Sequence, residues 1–280
     1  MRTRNLLIAV LALAALCALP GAASAAIKTE SATSGQINVL LTYKTGSYAY
    51  DVSGTHITIL RSGVAALDSN VAEPCKGCGV APAGLGGGQS LQITDVDGDG
   101  EPEVLLDLYS GGAHCCTFTW IYRFTGSSYT GTSVAWGDTG YTLKDLDGDR
   151  IPEFSSFDDR FAYTFTDYAD SWFPPLILQY RAGKMSDVTR SYPAVIKREA
   201  ARALRAYKSR KNRRDRDLRG VVAAYAADQC LLGKPAKAWT FVRSAQRRHL
   251  LKGFGRGDIW PRNGRYLRAL QKFLHKNGYY

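Results

Sequence analysis

The chain has 280 residues, enough for one large domain or two small ones, and a formal net charge of +11 at pH 7. Residues 26–184 hold 10 Lys and Arg against 19 Asp and Glu, whereas residues 185–280 hold 24 against 6. No apolar stretch is long enough to cross a bilayer comfortably, which argues against a transmembrane protein. We therefore expect an acidic domain over 26–184 and a strongly basic domain over 185–280.

Residues 1–25 have the pattern of a secretory signal peptide. A short positive stretch is followed by an apolar run over residues 6–19, a Pro-Gly pair and small residues up to Ala25, where we expect cleavage. A lipid anchor on Cys17 is the weaker alternative, because the bulky Leu16 stands where such anchors have a small residue. The mature protein is thus expected to be secreted, either extracellular or associated with the cell envelope.

The acidic half is predicted to be a β domain. Short runs of β-branched, aromatic and aliphatic residues are separated by Gly, Ser, Asn and Asp, without intervening helical periods. Such a pattern indicates an antiparallel architecture. The predicted strands cover residues 37–43, 56–60, 91–94, 103–108, 117–124, 161–165 and 176–180.

Two acidic loops, DVDGDGEPE and DLDGDRIPE, interrupt these strands about 50 residues apart. Side chains at alternate positions of such a turn converge on one point, and six to eight oxygens at about 2.4 Å suit Ca²⁺ better than Mg²⁺. Position 7 is Glu101 in the first loop and Ile151 in the second, so a backbone carbonyl would serve there. Position 12 is Leu106 or Ser156, neither of which is the bidentate carboxylate that an EF-hand requires.

These loops resemble the calcium loops of FG-GAP/VCBS-type repeats, the blades of integrin-alpha-like β-propellers, over about residues 90–160. The resemblance implies Ca²⁺ as cofactor, with a structural role in an exported protein. At 40–50 residues a blade, the acidic half holds only about three blades, which predicts an incomplete propeller-like array or a compact sandwich. Arg150 departs from the small residue that Gly100 supplies at position 6. The implied ligands are Asp95, Asp97, Asp99, the Glu101 carbonyl, Glu103, Asp145, Asp147, Asp149, the Ile151 carbonyl and Glu153.

Four cysteines of the acidic half are expected to form disulfides, because the chain is predicted to enter an oxidising compartment. We favour Cys75–Cys78 and Cys115–Cys116, and pairing between the two segments is the alternative. A metal or redox site is less favoured, since adjacent cysteines make a poor zinc pair. His114 is expected to be a turn or hydrogen-bonding residue.

The basic half is predicted to contain four short helices forming a small bundle. Apolar residues recur with a 3.6-residue period, beginning at Pro193, Leu218, Trp239 and Tyr266, and a glycine follows the last three helices. Cys230 falls on an apolar stripe and is expected to be a buried, inert thiol. The sequence as a whole therefore predicts an α+β chain with separate β and helical domains.

A basic run at residues 208–219, KSRKNRRDRDLR, is expected at a helix junction. It could contact an anionic cell-envelope polymer, although a solvated face or docking against the acidic half is favoured. It lacks the aromatic residues of single-strand nucleic-acid binders, and we expect no sequence-specific nucleic-acid partner. The candidate contacts are Lys208, Arg210, Lys211, Arg213, Arg214 and Arg216.

The sequence contains no recognisable catalytic constellation. It has no His-Glu-x-x-His, no Gly-x-Ser-x-Gly and no phosphate-binding loop. We therefore expect a non-enzymatic binding or adhesion protein, whose partner would be an anionic polymer or another protein. The alternative is a secreted hydrolase acting on a cell-envelope polymer.

Overall fold

The computed structural model describes residues 26–48, 50–86, 88–213, 217–253 and 257–280, so the predicted signal peptide lies outside the described residues. Within these ranges, three antiparallel sheets are followed by four α-helices, which confirms the predicted α+β class. No described helix combines the length and apolarity needed to cross a membrane.

Three sheets follow one another along the chain. The first is a meander of β1 (Ala26–Ser34), β2 (Ile37–Thr45), β3 (Val52–Arg61) and β4 (Val64–Asn70). The second contains β5 (Ala81–Pro82), β6 (Leu91–Thr94), β7 (Glu103–Tyr109), β8 (Thr117–Phe124) and β9 (Tyr129–Gly137). The third is a meander of β10 (Thr142–Lys144), β11 (Glu153–Phe157), β12 (Pro175–Arg181) and β13 (Lys184–Asp187).

The second sheet packs between the other two. On β7, Val104, Leu106 and Leu108 belong to the apolar cluster shared with the first sheet, whereas Leu105 belongs to the cluster shared with the third. Side chains of a strand alternate between its two faces, so β7 is buried on both sides. This explains why Val104, Leu105 and Leu106 form an unbroken apolar run instead of alternating with polar residues. The described sheets form a stack, and they do not close into a barrel.

The four helices lie where the apolar period predicts them. They are α1 (Pro193–Arg210), α2 (Arg219–Leu231), α3 (Pro235–Arg247) and α4 (Asn263–Lys276). Twelve of the 13 residues of α2 are buried, among them the free thiol of Cys230. The other helices surround α2, so it is the centre of the helical core.

The prediction of a strand at residues 161–165 is wrong. The chain there forms a 3₁₀ turn, Asp159–Phe161, followed by further turns. Phe161 and Phe165 insert into the helical core and meet Phe273 of α4 edge to face, with ring centroids 4.9 and 5.3 Å apart. The segment therefore belongs to the packing of the helices, although it precedes the last two strands of the third sheet.

A second junction between the two halves is polar. Arg190, between β13 and α1, donates hydrogen bonds to backbone carbonyls at the C-terminal ends of α2 and α4. Two of these carbonyls belong to the last residues of α2 and two to the residues just after α4, so one guanidinium joins the ends of two helices. Its acceptors are the carbonyls of Cys230, Leu231, Gly278 and Tyr279.

A buried charge cluster anchors the start of α2. Arg219 is 1 % exposed and donates to both Asp217 (Nε–Oδ2 2.8 Å) and Asp258 (Nη2–Oδ2 2.6 Å). The two carboxylates hold the loops before α2 and before α4 together through this one guanidinium. Removing a single member of a buried ion cluster leaves the others unpaired.

Replacement of Arg219 tests this anchor. We expect Arg219→Met to lower the free energy of unfolding by about 3–5 kcal/mol, because two buried carboxylates lose their cation. Urea denaturation measures the loss, and Arg205→Met on the exposed face of α1 is the control, expected to change stability by less than about 0.5 kcal/mol. Equal losses in the two variants would contradict the anchoring role.

Candidate metal centre

The two acidic loops occupy equivalent places in neighbouring sheets. The first joins β6 to β7 and the second joins β10 to β11, each between paired antiparallel strands. Glu103 is the first residue of β7 and pairs with Thr94, just as Glu153 is the first residue of β11 and pairs with Lys144. The repeat in the sequence is therefore a repeat in the structure.

The first aspartate of each loop holds the turn closed. Asp95 accepts hydrogen bonds from the backbone N–H groups of Gly98 (2.6 Å) and Gly100 (3.0 Å). Asp145 accepts the matching bonds at positions 4 (2.7 Å) and 6 (3.0 Å) of its loop. Arg150 takes φ +73° at position 6, close to the +85° of Gly100, so the loops share one turn despite the sequence difference.

The glutamate at position 9 of each loop is buried and only partly satisfied. Glu103 and Glu153 are both 0 % exposed. One carboxylate oxygen accepts a backbone N–H, from Val96 (3.1 Å) or Leu146 (3.0 Å), while Oε1 of each has no hydrogen-bond partner among the described residues. Burial, reinforced by the nearby aspartates, raises the pKa of Glu103 to about 8. A buried unpaired oxygen is costly, and a cation in the loop would satisfy both its charge and its lone pairs.

Three carboxylates come together in each loop, and the second group contains the buried glutamate, whereas the first does not contain Glu103. Asp95, Asp97 and Asp99 each offer a carboxylate oxygen within 4.8 Å of the others, and so do Asp145, Asp147 and Glu153. This geometry fits a hard cation with oxygen ligands.

Two of the predicted ligand positions have other side-chain partners. The carboxylate of Glu101 pairs with Arg61 (Nη2–Oε2 2.9 Å), which leaves its backbone carbonyl for the role expected at position 7. Asp149 faces Arg181 at 3.8 Å.

A guanidinium supplies part of the counter-charge in the first loop. Arg123, on β8, contacts Asp97 (3.1 Å) and Asp99 (2.6 Å). Neither contact reaches the free oxygen of Glu103, so the arginine does not replace a cation at that atom. A bound ion would share Asp97 and Asp99 with Arg123 or displace it towards solvent.

The two loops touch each other, which the sequence did not indicate. A Cβ atom added to Gly98 would lie 2.3 Å from Cδ1 of Ile151, so the second loop rests on the glycine of the first. Arg181 bridges them as well, since it donates to the Val96 carbonyl (3.3 Å) and faces Asp149. Position 7 of the second loop is therefore apolar because it packs against the first loop.

A second cluster surrounds the cysteines of the second sheet. The structure joins Cys75 to Cys78 and Cys115 to Cys116, the pairing that the sequence favoured. His114 adopts φ +69°, stacks on Tyr168 with ring centroids 3.8 Å apart, and has Nδ1 3.7 Å from Asp138.

That cluster lies at the surface. The side chains of His114 and Asp138 are 42 % and 34 % exposed. The phenol of Tyr168 donates to Asp138. Neither Asp138 nor Tyr168 carries a motif that could have been recognised in the sequence. The group is an open His–Asp–Tyr patch beside a disulfide.

The basic run is only partly open to solvent. Arg210 pairs with Asp170 (3.2 Å) and lies over the ring of Trp172, so it is engaged within the fold. Lys208 and Arg213 are exposed and Lys211 is half-buried. The remaining candidate contacts, Arg214 and Arg216, lie outside the described residues.

A protein-family model matches the helical half of the chain, and two curated relatives align with more than half of it. The family model described as the sll0997 C-terminal domain matches residues 196–278, which contain most of the four helices and exclude both acidic loops. The chain is 31 % identical over 179 residues to a Synechocystis protein described as "Probable thylakoid lumen protein sll0997", an alignment covering 61 % of this chain and 49 % of that protein.

A second relative comes from Sinorhizobium fredii. It is described as "Uncharacterized protein y4bJ" and is 30 % identical over 164 residues, covering 58 % of this chain and 24 % of the relative. The chain thus spans about half of the first relative and about a quarter of the second.

Alanine substitutions in the two loops test their contact. Gly98 and Gly148 hold the same position with φ +77° and +89°, but only Gly98 meets Ile151. We expect Gly148→Ala to cost about 1–2 kcal/mol from the left-handed conformation alone. Gly98→Ala should cost about 1–3 kcal/mol more, because the new methyl group clashes with the isoleucine.

A double-mutant cycle isolates the clash. Gly98→Ala combined with Ile151→Ala should destabilise the protein less than the sum of the single changes, since the shortened side chain leaves room for the methyl group. Urea denaturation at fixed calcium measures all the variants. Equal costs for the two glycines together with additive effects would show that the loops do not touch.

Proposed function

We propose that this chain is an exported, non-enzymatic binding protein whose β region is stabilised by two Ca²⁺ ions, one in each acidic loop. The observation that carries the proposal is the pair of fully buried glutamates, Glu103 and Glu153, each with an unpartnered oxygen in an aspartate-rich loop. The resemblance of both loops to FG-GAP/VCBS-type calcium loops supports the same assignment.

The role proposed for calcium is structural. Each loop joins two paired strands, and its ion would fix the turn to the first residue of β7 or β11. Extracellular calcium near ~1 mM keeps even weak sites filled. A site with a dissociation constant of about 10 µM would then add about 2.7 kcal/mol to the free energy of unfolding.

Three features support export. The N-terminal residues have the order of a secretory signal, and two disulfides accord with an oxidising compartment. The third is the similarity to the Synechocystis protein, whose description places it in the thylakoid lumen. Proteins reach that space by crossing a membrane, so the similarity agrees with translocation of this chain.

A secreted hydrolase is the second candidate, and one observation favours it. His114 lies beside Asp138, and a histidine held by a carboxylate can act as a general base. We place it second because the patch is open to solvent, whereas catalytic electrostatics depend on excluding water. The stack of His114 on Tyr168 also gives the histidine a packing role.

Calcium removal tests the first proposal. We expect metal analysis to give two calcium ions per chain and a chelator to lower Tm by about 10–20 °C, from a combined loss of about 4–6 kcal/mol at the two sites. Glu153→Gln should bind one ion fewer and recover less Tm when calcium is added back. Without calcium it should be as stable as the natural chain or more so, because it removes a buried charge.

Glu73→Gln is the matched control, since Glu73 lies outside both loops and accepts only the N–H of Gly77. It should keep the full calcium response. A chain without bound calcium, or a Glu153→Gln effect that is the same with and without calcium, would refute the metal assignment.

Product release tests the hydrolase alternative. We expect the purified protein to release no more soluble sugar or phosphate from cell-envelope fractions than buffer does, and His114→Ala to change nothing. Release that disappears in both His114→Ala and Asp138→Asn, with Tm retained in each, would replace the binding proposal by the hydrolase.

A further inference from the structure

A cavity of about 530 Å³ lies in the helical half, at the C-terminal ends of α1 and α3. Lys211 and Arg213 line it from the end of α1, and Arg248, His249 and Lys252 line it from the segment after α3. The two segments are about 40 residues apart in sequence, so the fold assembles the cavity from basic groups that no single motif contains. His249 takes φ +56°, which shows that the backbone turns sharply at the cavity wall.

The acids of the helical half that the structure describes are engaged elsewhere, and Asp258 is held by Arg219. Glu199 pairs with Arg198 and Arg202 on the outside of α1, and Asp228 is buried within the core. Asp217, the one acid among the described lining residues, is 3 % exposed and engaged by Arg219. Among the described residues, no carboxylate pairs with Lys211, Arg248 or Lys252.

The negative C-terminal ends of the two helices balance only part of the positive charge in the cavity. The C-terminus of an α-helix carries about half a negative charge, and cations commonly collect there. Two ends therefore offset about one charge, whereas Lys211, Arg248 and Lys252 alone contribute three permanent charges to the lining. A positive surplus remains that points to an anionic ligand.

The size and the donors define the class of ligand. A volume of about 530 Å³ lies within the range of small-molecule sites, about 300–1,000 Å³, and is larger than one phosphate group requires. Lysine ammonium groups and an arginine fork are the usual partners of phosphate oxygens. Arg248 also lies close to the Tyr207 hydroxyl.

We infer that this cavity binds a ligand carrying two or more phosphate groups. The inference gives a ligand class to the binding role proposed above and rests on that role, but not on its calcium. It also revises the contact set predicted from the sequence, because Arg210 is engaged by Asp170, whereas Arg248 and Lys252 join Lys211 at the cavity. The phosphates could belong to a soluble oligophosphate or to lipid headgroups.

Calorimetric titration with tripolyphosphate at low salt tests the inference. We expect micromolar binding to the full chain, and binding at least about tenfold weaker in Lys211→Ala/Lys252→Ala, because each lost charged hydrogen bond is worth about 1.5–3 kcal/mol. The matched control Lys234→Ala/Lys237→Ala removes the same charge from exposed positions around the start of α3 and should bind within about twofold of the natural chain. Raising the salt should weaken binding.

Two further arms separate the sources and the proposals. Co-sedimentation with phosphatidylglycerol vesicles that is lost in the cavity pair but kept in the control would assign the phosphates to lipid headgroups. Binding of tripolyphosphate without vesicle binding would assign them to a soluble ligand. Tripolyphosphate can also chelate calcium, but the cavity variants and the control variants have the same acidic loops, so chelation affects them equally. Glu153→Gln should bind tripolyphosphate as the natural chain does. Failure of the calcium proposal would therefore leave the phosphate result unchanged.

The inference is overturned if the natural chain does not bind tripolyphosphate. It is equally overturned if the cavity pair and the control pair lose affinity alike, since that would show general attraction to a basic surface.

Discussion

Negative charge concentrated in two adjacent loops is the constraint on which the β region depends. Nine carboxylates lie in two nine-residue loops that touch through Gly98 and Ile151. Arg61, Arg123 and Arg181 come from strands of all three sheets to meet Glu101, Asp97, Asp99 and Asp149. The two buried glutamates receive no such partner, although each begins the strand that carries its sheet's core. The first residue of β7 and the first residue of β11 are therefore buried carboxyl groups without an arginine partner.

The loops could be predicted because their chemistry is local. Alternate aspartates, glycines at the turns and a glutamate at a strand start are all visible within nine residues. Contact between the loops could not be predicted, since it depends on how two sheets stack. Ile151 illustrates this difference. In the sequence it departs from the acidic residue that the first loop has at position 7, and in the structure it packs against Gly98 of that loop.

The same distinction explains the wrong strand at residues 161–165. Its aromatic residues favour a strand by composition. Phe161 and Phe165 are four positions apart, however, and both enter the helical core, which only the tertiary structure provides. The four helices themselves were predictable, because an apolar stripe with a 3.6-residue period is a property of each segment alone. The basic cavity could not be predicted, because it forms where the C-terminal ends of α1 and α3 meet, and neither segment's sequence shows that the two are neighbours.

Opposite net charges suggested that the two halves neutralise each other, and the contacts argue otherwise. Arg210 and Asp170 form an ion pair across the junction, beside aromatic packing. Other contacts across it are hydrogen bonds between a charged and a neutral group or between two neutral groups, such as Tyr279 to Asp158 (2.6 Å) and Trp260 to the Tyr163 carbonyl (2.7 Å). The hydroxyl of Tyr192, just before α1, is uncharged; it donates to Asp147 (3.2 Å) and lies close to Glu153 of the same loop. The arginines that do serve the loops all come from β-strands. The calcium sites and the phosphate site proposed above would therefore use charges that the contacts between the two halves leave largely unneutralised.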